Sequence, residues 1–344
     1  MYLGTPGQIA DERITLSHGA GGRASHDLVE GIFLRELRNP MLEPLGDSAL
    51  LAAGRRQLAF TTDSCVVRPL FFPGGDIGEL AVNGTINDLA MSGARPVALS
   101  AAFIVEEGLP VADLKRVATS IACASLRAGV PIATGDTKVV ERGKADGLFI
   151  NTSGVGCVEP GVVFDPTAVR PGDRVIVSGP IGDHGMAVMA AREEVKLDAD
   201  IRSDTAPLHF LVAKLLRATA GVRCLRDPTR GGLATVLSEL ARGAEVGITI
   251  NEPAIPIRPA VVTACDALGV DPLYVANEGR LIAIVSPDAT GTALVALRAH
   301  ALGREAAVIG EVTAASPGQV RLGGGSSEPR VVDMVAGESL SRIC

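Results

Sequence analysis

The sequence predicts an α/β protein of two domains, and three observations carry that expectation. Its 344 residues exceed the usual length of one domain. Of these, 47% are apolar but only 3% aromatic, with no Trp, so the core must be Val, Leu, Ile and Ala, a composition that suits sheets layered against helices. Strand-like and helix-like segments also alternate through both halves, with no short repeat that would suggest a solenoid.

Taken in order, the glycine-rich SHGAGGRAS opens a first helix, ASHDLVEGIFLREL. Strand-like LAFTTD, VALSAAFIVEE and GLFINTSGVGCV then enclose two long helical patterns. In DIGELAVNGTINDLAMSG, residues Ile77, Leu80, Ala81, Ile86 and Leu89 give only a broken apolar stripe. In VADLKRVATSIACASLRAGV, residues Leu114, Val117, Ile121, Ala124 and Ala128 share one face. A Pro171-Gly172 turn within TAVRPGDRVIVSG marks the domain boundary. Beyond it come helices in GMAVMAAREE, APLHFLVAKLLRA, RGGLATVLSELARGA and ATGTALVALRAH, and strands in RVIVSG, RLIAIVS and AAVIGEV. RLGGGSSEP reads as a hairpin tip or loop. The expected division is 1–168, 169–333 and a short polar, mobile tail, 334–344.

A net charge of −7 supplies no basic stripe for nucleic acid or an anionic membrane surface. No run approaches the roughly 18 apolar residues of a membrane span, and no secretory leader opens the sequence, so a soluble, cytoplasmic protein is expected. There is no CxxC pair for zinc, and a reducing compartment disfavours disulfides. Cys65, Cys123, Cys157, Cys224 and Cys265 adjoin apolar stretches and read as small buried hydrophobes. Cys344, the last residue, is the exception, because packing does not require a thiol there.

Four aspartates recur in similar settings: Asp47 in LGDSAL, Asp63 in FTTDS, Asp88 in TINDLAMSG and Asp136 in ATGDTK. Asp63 and Asp136 each follow an apolar strand, and Asp88 lies in a mostly apolar helix, where a carboxylate is costly unless paired or bound to a cation. Converging, they could hold Mg²⁺, which takes oxygen ligands; separately, they could cap turns or face solvent. The glycines before the first helix could let backbone N–H groups approach an anion, although the segment is neither a Walker loop nor a dinucleotide fingerprint. Arg230, Gly231 and Gly232, leading the helix in RDPTRGGLATVL, are a second anion candidate; the alternative is a helix capped through Thr229. Lys138 could meet a phosphate or be a surface charge, and Glu278 could be a general base or a solvated loop carboxylate. His18 and His184, in glycine-rich contexts, read as structural or hydrogen-bonding groups.

The segments SHGAGGRASHDL, GDSAL, TTDSCVVRPLFFPGGDIGELAVNGTINDLAMSGARP, PIATGDTKVV, RDPTRGGLATVL, ANEGRL and the terminal RIC together resemble the HypE family, the carbamoyl dehydratases of NiFe-hydrogenase maturation. That family belongs to the ATP-using superfamily of aminoimidazole ribonucleotide synthetase and selenophosphate synthetase. TTDS and NDLAMSGA indicate the superfamily, and the terminal cysteine selects the member. The resemblance implies two α/β domains, the first dimerising through its sheet into a homodimer, with ATP and Mg²⁺ in the cleft near that interface. It implies that Asp47, Asp63, Asp88 and Asp136 hold Mg²⁺ or phosphates. It further implies that Gly19, Ala20, Gly21 and Gly22 cover the nucleotide, with Asn87, Arg230, Gly231 and Gly232 also at the ATP site. Cys344 would be carbamoylated by a carbamoyltransferase, HypF, dehydrated to a thiocyanate, and unloaded to a HypC–HypD complex. Lys138 and Glu278 are the candidate catalytic groups. Ser341 stands where the family usually has proline, which should leave the tail slightly less stiff. The rivals are a selenophosphate synthetase, which would need a reactive Cys near the glycine loop, and a metallochaperone using Cys344 as ligand, which would have no use for the aspartates.

Overall fold

Two sheets, one from each half of the chain, are joined by a helix buried on nearly every side. The computed structural model describes residues 14–19, 21–54, 56–159, 161–162, 164, 166–192, 200–324, 330–334, 340 and 342–343. Ala20, Ser341 and Cys344 therefore lie outside the described residues, as does most of the expected tail.

After a 3-10 turn at Leu16–Gly19, a helical stretch comprises α1 (Arg23–Leu28), a π-wound Val29–Leu34 and α2 (Arg35–Leu37). The first sheet follows: β1 (Ala49–Ala53), β2 (Arg56–Cys65), then a small hairpin β3 (Phe71–Phe72) and β4 (Gly75–Asp76) leading into α3 (Ile77–Met91). β5 (Ala94–Glu106), α4 (Val111–Ala128), β6 (Ile132–Val140) and β7 (Leu148–Val158) complete it. Its order is β1-β2-β7-β5-β6, antiparallel except for β5 and β6, which α4 joins as a parallel crossover.

The second half has β8 (Arg174–Val177), α5 (Asp183–Ala190), α6 (His209–Ala218), β9 (Val222–Arg226) and α7 (Gly232–Gly243). Then come β10 (Gly247–Asn251), α8 (Pro259–Leu268), β11 (Ile282–Val285), α9 (Thr290–Arg298), β12 (Ala307–Thr313), β13 (Val320–Gly323) and β14 (Arg330–Val332). They form a sheet of order β14-β13-β10-β12-β8-β11-β9. β13 and β14 pair antiparallel, and residues 325–329 of the expected hairpin tip RLGGGSSEP lie outside the described residues.

The broken stripe of α3 has a physical reason. Asp76 caps it by accepting from the N–H groups of Gly78 at 2.8 Å and Glu79 at 3.1 Å. α4 and the first sheet cover two sides, and α6 and β9 of the second half approach the rest, so every α3 residue but Glu79 and Asp88 is buried. A helix enclosed all round needs no polar face. Its neighbours form one core drawn from both halves, in which Ile77, Leu80 and Val82 pack with Met186, Ile201 and Val261. The expected α4 face is buried at Val117, Ile121, Ala124 and Ala128. Cys123, on its opposite side, is exposed and Cys157 is half-buried, correcting the expectation for those two; Cys65, Cys224 and Cys265 are buried.

The contact of α3 with α4 requires a glycine. A Cβ at Gly78 would lie 2.7 Å from the Val117 carbonyl oxygen, which is backbone and cannot rotate away. Gly78→Ala should destabilise the protein by about 1–3 kcal/mol in urea denaturation; an unchanged midpoint would contradict this packing.

Candidate functional site

Carboxyl groups from both halves gather where α3 passes between the sheets. Asp63 lies within β2, near its end, paired across the ladder with Thr152, which is buried against α3. Asp63 therefore faces α3. There Gly84 leaves a cradle: a Cβ at Gly84 would sit 3.0 Å from Asp63 Oδ2 and 3.9 Å from Glu278 Oε2. Glu278, in the loop before β11, is 4% exposed, so it is not a solvated loop residue. Asp88, one α3 turn from Gly84, accepts from the Thr61 hydroxyl at 2.9 Å, and the same hydroxyl lies 2.8 Å from the Asp47 carbonyl oxygen. Asp47 pairs closely with Arg226 at the end of β9. The next residue, Asp227, is 7% exposed, and its Oδ2 has no hydrogen-bond partner.

The frame holding these groups is made of backbone hydrogen bonds. Asn87 Nδ2 donates to the carbonyls of Ala206 at 3.1 Å and Glu278 at 3.0 Å, while its Oδ1 accepts from Leu208 N–H at 2.8 Å. Asn87 is thus a clamp between α3 and the second half. Asp204 Oδ1 accepts the Glu278 N–H at 3.1 Å. Asn277 Oδ1 accepts the Gly182 N–H at 2.7 Å, and its Nδ2 donates to Pro228 at 2.9 Å.

The two anion candidates form one surface. Gly21, at φ +77°, lies so close to Arg230 that a Cβ would meet the Arg230 Cβ at 2.6 Å and its backbone at 2.9 Å. A Cβ at Gly231 would come within 3.1 Å of the Gly21 carbonyl oxygen, and Arg230 Nη1 lies 3.4 Å from the Gly19 carbonyl oxygen. Gly22 is the N-cap of α1, and Gly232 is the first residue of α7. The glycine loop is thus laid over Arg230, whose charge also acts on Glu278.

Asp136 and Lys138 are not in this cluster. Asp136 is mid-strand in β6, at the sheet's edge, and pairs with Ala102, whose neighbour Ala101 faces the buried side. It therefore points to the face opposite Asp63, and three strand spacings, about 14 Å, separate the two strands. Lys138, beside the exposed Ile104, shares that outer face. Expecting Asp136 to join the other three aspartates within one chain fails, because side chains alternate across a sheet. Sequence reasoning missed Asp227: it stands directly after β9, but that strand is not conspicuous in the sequence, so the strand-end signal that pointed to Asp63 was not visible there.

Crowding governs the site's electrostatics. Burial first, then the charges of Asp227, Asp63 and Asp47, push the Asp88 carboxyl well above its ordinary range. Burial, then Asp63, Asp227 and Asp204, do the same to Glu278, against the pull of Arg230. Asp227 is pushed by burial and then by Asp47 up to about 8. Among the described residues no three side chains alone form a ready metal cage. The unpartnered Asp227 oxygen and the mutually repelling carboxyls nevertheless fit a hard cation that takes its remaining ligands from water or phosphate.

Residues 45–158 and 170–323 match the N-terminal and C-terminal domain families of AIR synthase related proteins. The chain is 53% identical over 337 residues to "Carbamoyl dehydratase HypE" of Rhizobium leguminosarum bv. viciae, covering 98% of this chain and 96% of that one. Its fold matches a crystal structure of hydrogenase maturation protein HypE in complex with ATP at a TM-score of 0.81 and 46% identity, covering 96% of this chain and 100% of the other. A crystal structure of a HypE–HypF complex matches at a TM-score of 0.85 and 46% identity, over 90% and 99% of the two chains.

A carboxyl whose proton affinity rises on folding favours the folded state at low pH. That advantage is lost as pH climbs from the unfolded value of 3.8 through the folded value of about 8. The ligand-free protein should therefore melt lower at pH 8 than at pH 5. Asp227→Asn should recover about 3 °C at pH 8 by differential scanning calorimetry. A variant less stable than wild type at pH 8 would contradict this electrostatic account.

Proposed function

The chain belongs to the HypE family of AIR synthase related proteins, and from that premise we propose that it is an ATP-dependent carbamoyl dehydratase acting on its own C-terminal cysteine. A carbamoyl group on Cys344, S–C(=O)–NH₂, must lose its oxygen and both N–H protons to become S–C≡N. Oxide does not leave, but phosphate does. The γ-phosphoryl group of ATP is transferred to the carbonyl oxygen, a base takes the protons from nitrogen, and ADP and phosphate are released. The observation that carries this reading is Glu278, buried beside Asp63 over the Gly84 cradle: a carboxyl of raised proton affinity is a strong base once ionised.

Asp63, Asp88 and Asp227, with Asp47 tied to Arg226, would hold Mg²⁺, which supplies charge neutralisation for the phosphates. Gly22 and Gly231, beside Arg230, would offer backbone N–H groups and a cation to an anionic ligand, whereas the N–H groups of Gly21 and Gly232 already donate to Ser25 Oγ and to the Thr229 carbonyl, each at 2.9 Å. On this reading a partner carbamoyltransferase, HypF, loads the thiol, and a HypC–HypD complex accepts the cyanide for the hydrogenase iron. Both exchanges require that the partners reach the thiol of Cys344. No described helix is long and apolar enough to cross a membrane. Use of ATP and a free thiol suits the cytoplasm.

A homodimer gives Asp136 and Lys138 a role that a single chain denies them. The outer face they share also carries Phe60, 45% exposed, and Ile104, 42% exposed, an apolar surface left open among the described residues. Packing this face against a second copy would bring Asp136 and Lys138 toward the partner's site, where Lys138 stabilises charge on the transferring phosphoryl group.

Two experiments test the proposal. Glu278→Gln should bind ATP normally, yet carbamoylated protein should lose water from its terminal peptide at least about 100-fold more slowly by mass spectrometry; an unchanged rate would rule Glu278 out as the base. Asp63→Asn and Lys138→Ala proteins should each be inactive, but after subunit exchange their mixture should recover roughly a quarter of wild-type activity, since half the dimers would contain one intact site. No recovery would exclude a site shared between copies.

A further inference from the structure

His184 lies outside the carboxylate site but is wholly buried, with both ring nitrogens engaged. Nε2 is 2.9 Å from the Ile343 carbonyl oxygen, and Nδ1 is 2.8 Å from Ser203 Oγ. A carbonyl oxygen only accepts, so Nε2 carries the hydrogen. Burial lowers the proton affinity of the ring, against the pull of Asp204 and of the carbonyl, and favours the neutral form. Nδ1 then accepts the Ser203 hydroxyl, whose oxygen accepts the Thr205 N–H at 3.1 Å. The chain runs one way, from Thr205 N–H through Ser203 O–H and His184 N–H to the carbonyl of Ile343. The edge-on ring of Phe72, 5.5 Å away between centroids, supports the imidazole.

The far end of this chain is the residue before the terminal cysteine. Ile343 is 3% exposed and belongs to the core shared by the two halves. The Arg342 carbonyl accepts from Arg68 N–H at 3.1 Å and Arg192 Nη2 at 3.1 Å, and the Arg342 guanidinium donates to Asp146 at 2.7 Å. The near end adjoins the carboxylate site, since Asp204, next to Ser203, receives the Glu278 N–H.

We propose that His184 is a positioning residue: fixed in one tautomer by Ser203, it donates to the Ile343 carbonyl and sets the fraction of molecules whose C-terminal arm is docked. Its consequence for catalysis rests on the dehydratase reading, because an arm that carries the substrate reacts only when docked. Among the contacts of the arm, the Arg342–Asp146 pair is partly solvent-exposed and contributes less than the buried bond to His184. Undocking that leaves the imidazole in place frees a carbonyl to water, whereas removing the imidazole strands the carbonyl in the docked state.

Trypsin cleavage of the Arg342–Ile343 bond in the full-length, unmodified protein, read as loss of the terminal dipeptide by intact mass, reports the undocked fraction. His184→Ala should speed this cleavage about tenfold, the change expected when a buried carbonyl loses its donor. Ser203→Ala should speed it severalfold, and Asp146→Asn at most about threefold. His184→Gln, which keeps an N–H donor, should restore a rate close to that of wild type. Alkylation of the buried Cys65, Cys224 and Cys265 separates undocking from unfolding, as they should stay protected. If His184→Ala opens the core, Ser203→Ala and His184→Gln decide. Equal cleavage in wild type and Ser203→Ala, or no restoration by His184→Gln in a protein with protected core cysteines, overturns the proposal. The assay uses neither ATP nor a carbamoyl group, so its failure leaves the dehydratase reading standing, and failure of that reading leaves the latch standing.

Discussion

Carboxyl groups crowded together in a partly desolvated setting between the two halves are the constraint on which the rest of this structure depends. Burying like charges together is unfavourable, and the protein tolerates it by letting Asp88, Asp227 and Glu278 keep their protons more tightly than carboxyls in water do. The groups come from β2, from α3, from the residue after β9 and from the loop before β11, so their proximity is a property of the joined halves. Asn87 spends its amide on backbone groups of the second half, and the enclosed α3 leaves it no freedom to do otherwise. The fold thus stores an unmet demand for positive charge at the place where the glycine loop and Arg230 face each other.

Much of this was legible along the chain. The alternation of VALSAAFIVEE with VADLKRVATSIACASLRAGV gave β5 and α4, and the apolar stripe gave the buried face of α4, because that side meets the core. Asp47, Asp63 and Asp88 were conspicuous as acids in apolar settings, and they do gather. α3 was harder, since a helix covered on all sides loses the periodicity that announces helices. β9 was hidden because VRCLR carries arginines within its short run, and α8 because it is short and starts at Pro259 after further prolines, which obscure a helix start.

What stayed illegible has a common origin in three-dimensional sidedness. Strand context alone gave Asp136 the same standing as Asp63, but the pleat turns them to opposite faces. Asn87 adjoins Asp88 in NDLAMSG, yet successive helix positions diverge by about 100°, so one clamps backbone while the other joins the acids. Asp227 went unremarked beside the more conspicuous arginine and glycines. His184 was read as a hydrogen-bonding group, which holds, but its partner lies 159 residues away at the other end of the chain.

If the acid cluster is a cation and phosphate site, the protons it retains must be displaced when the ligand arrives. The most direct measurement is titration calorimetry of ligand-free protein with ATP and Mg²⁺ at pH 7, repeated in buffers of different ionisation enthalpy. Heats that vary with the buffer and correspond to release of about one proton per site are the predicted result. Heats independent of the buffer, or proton uptake, would contradict the account.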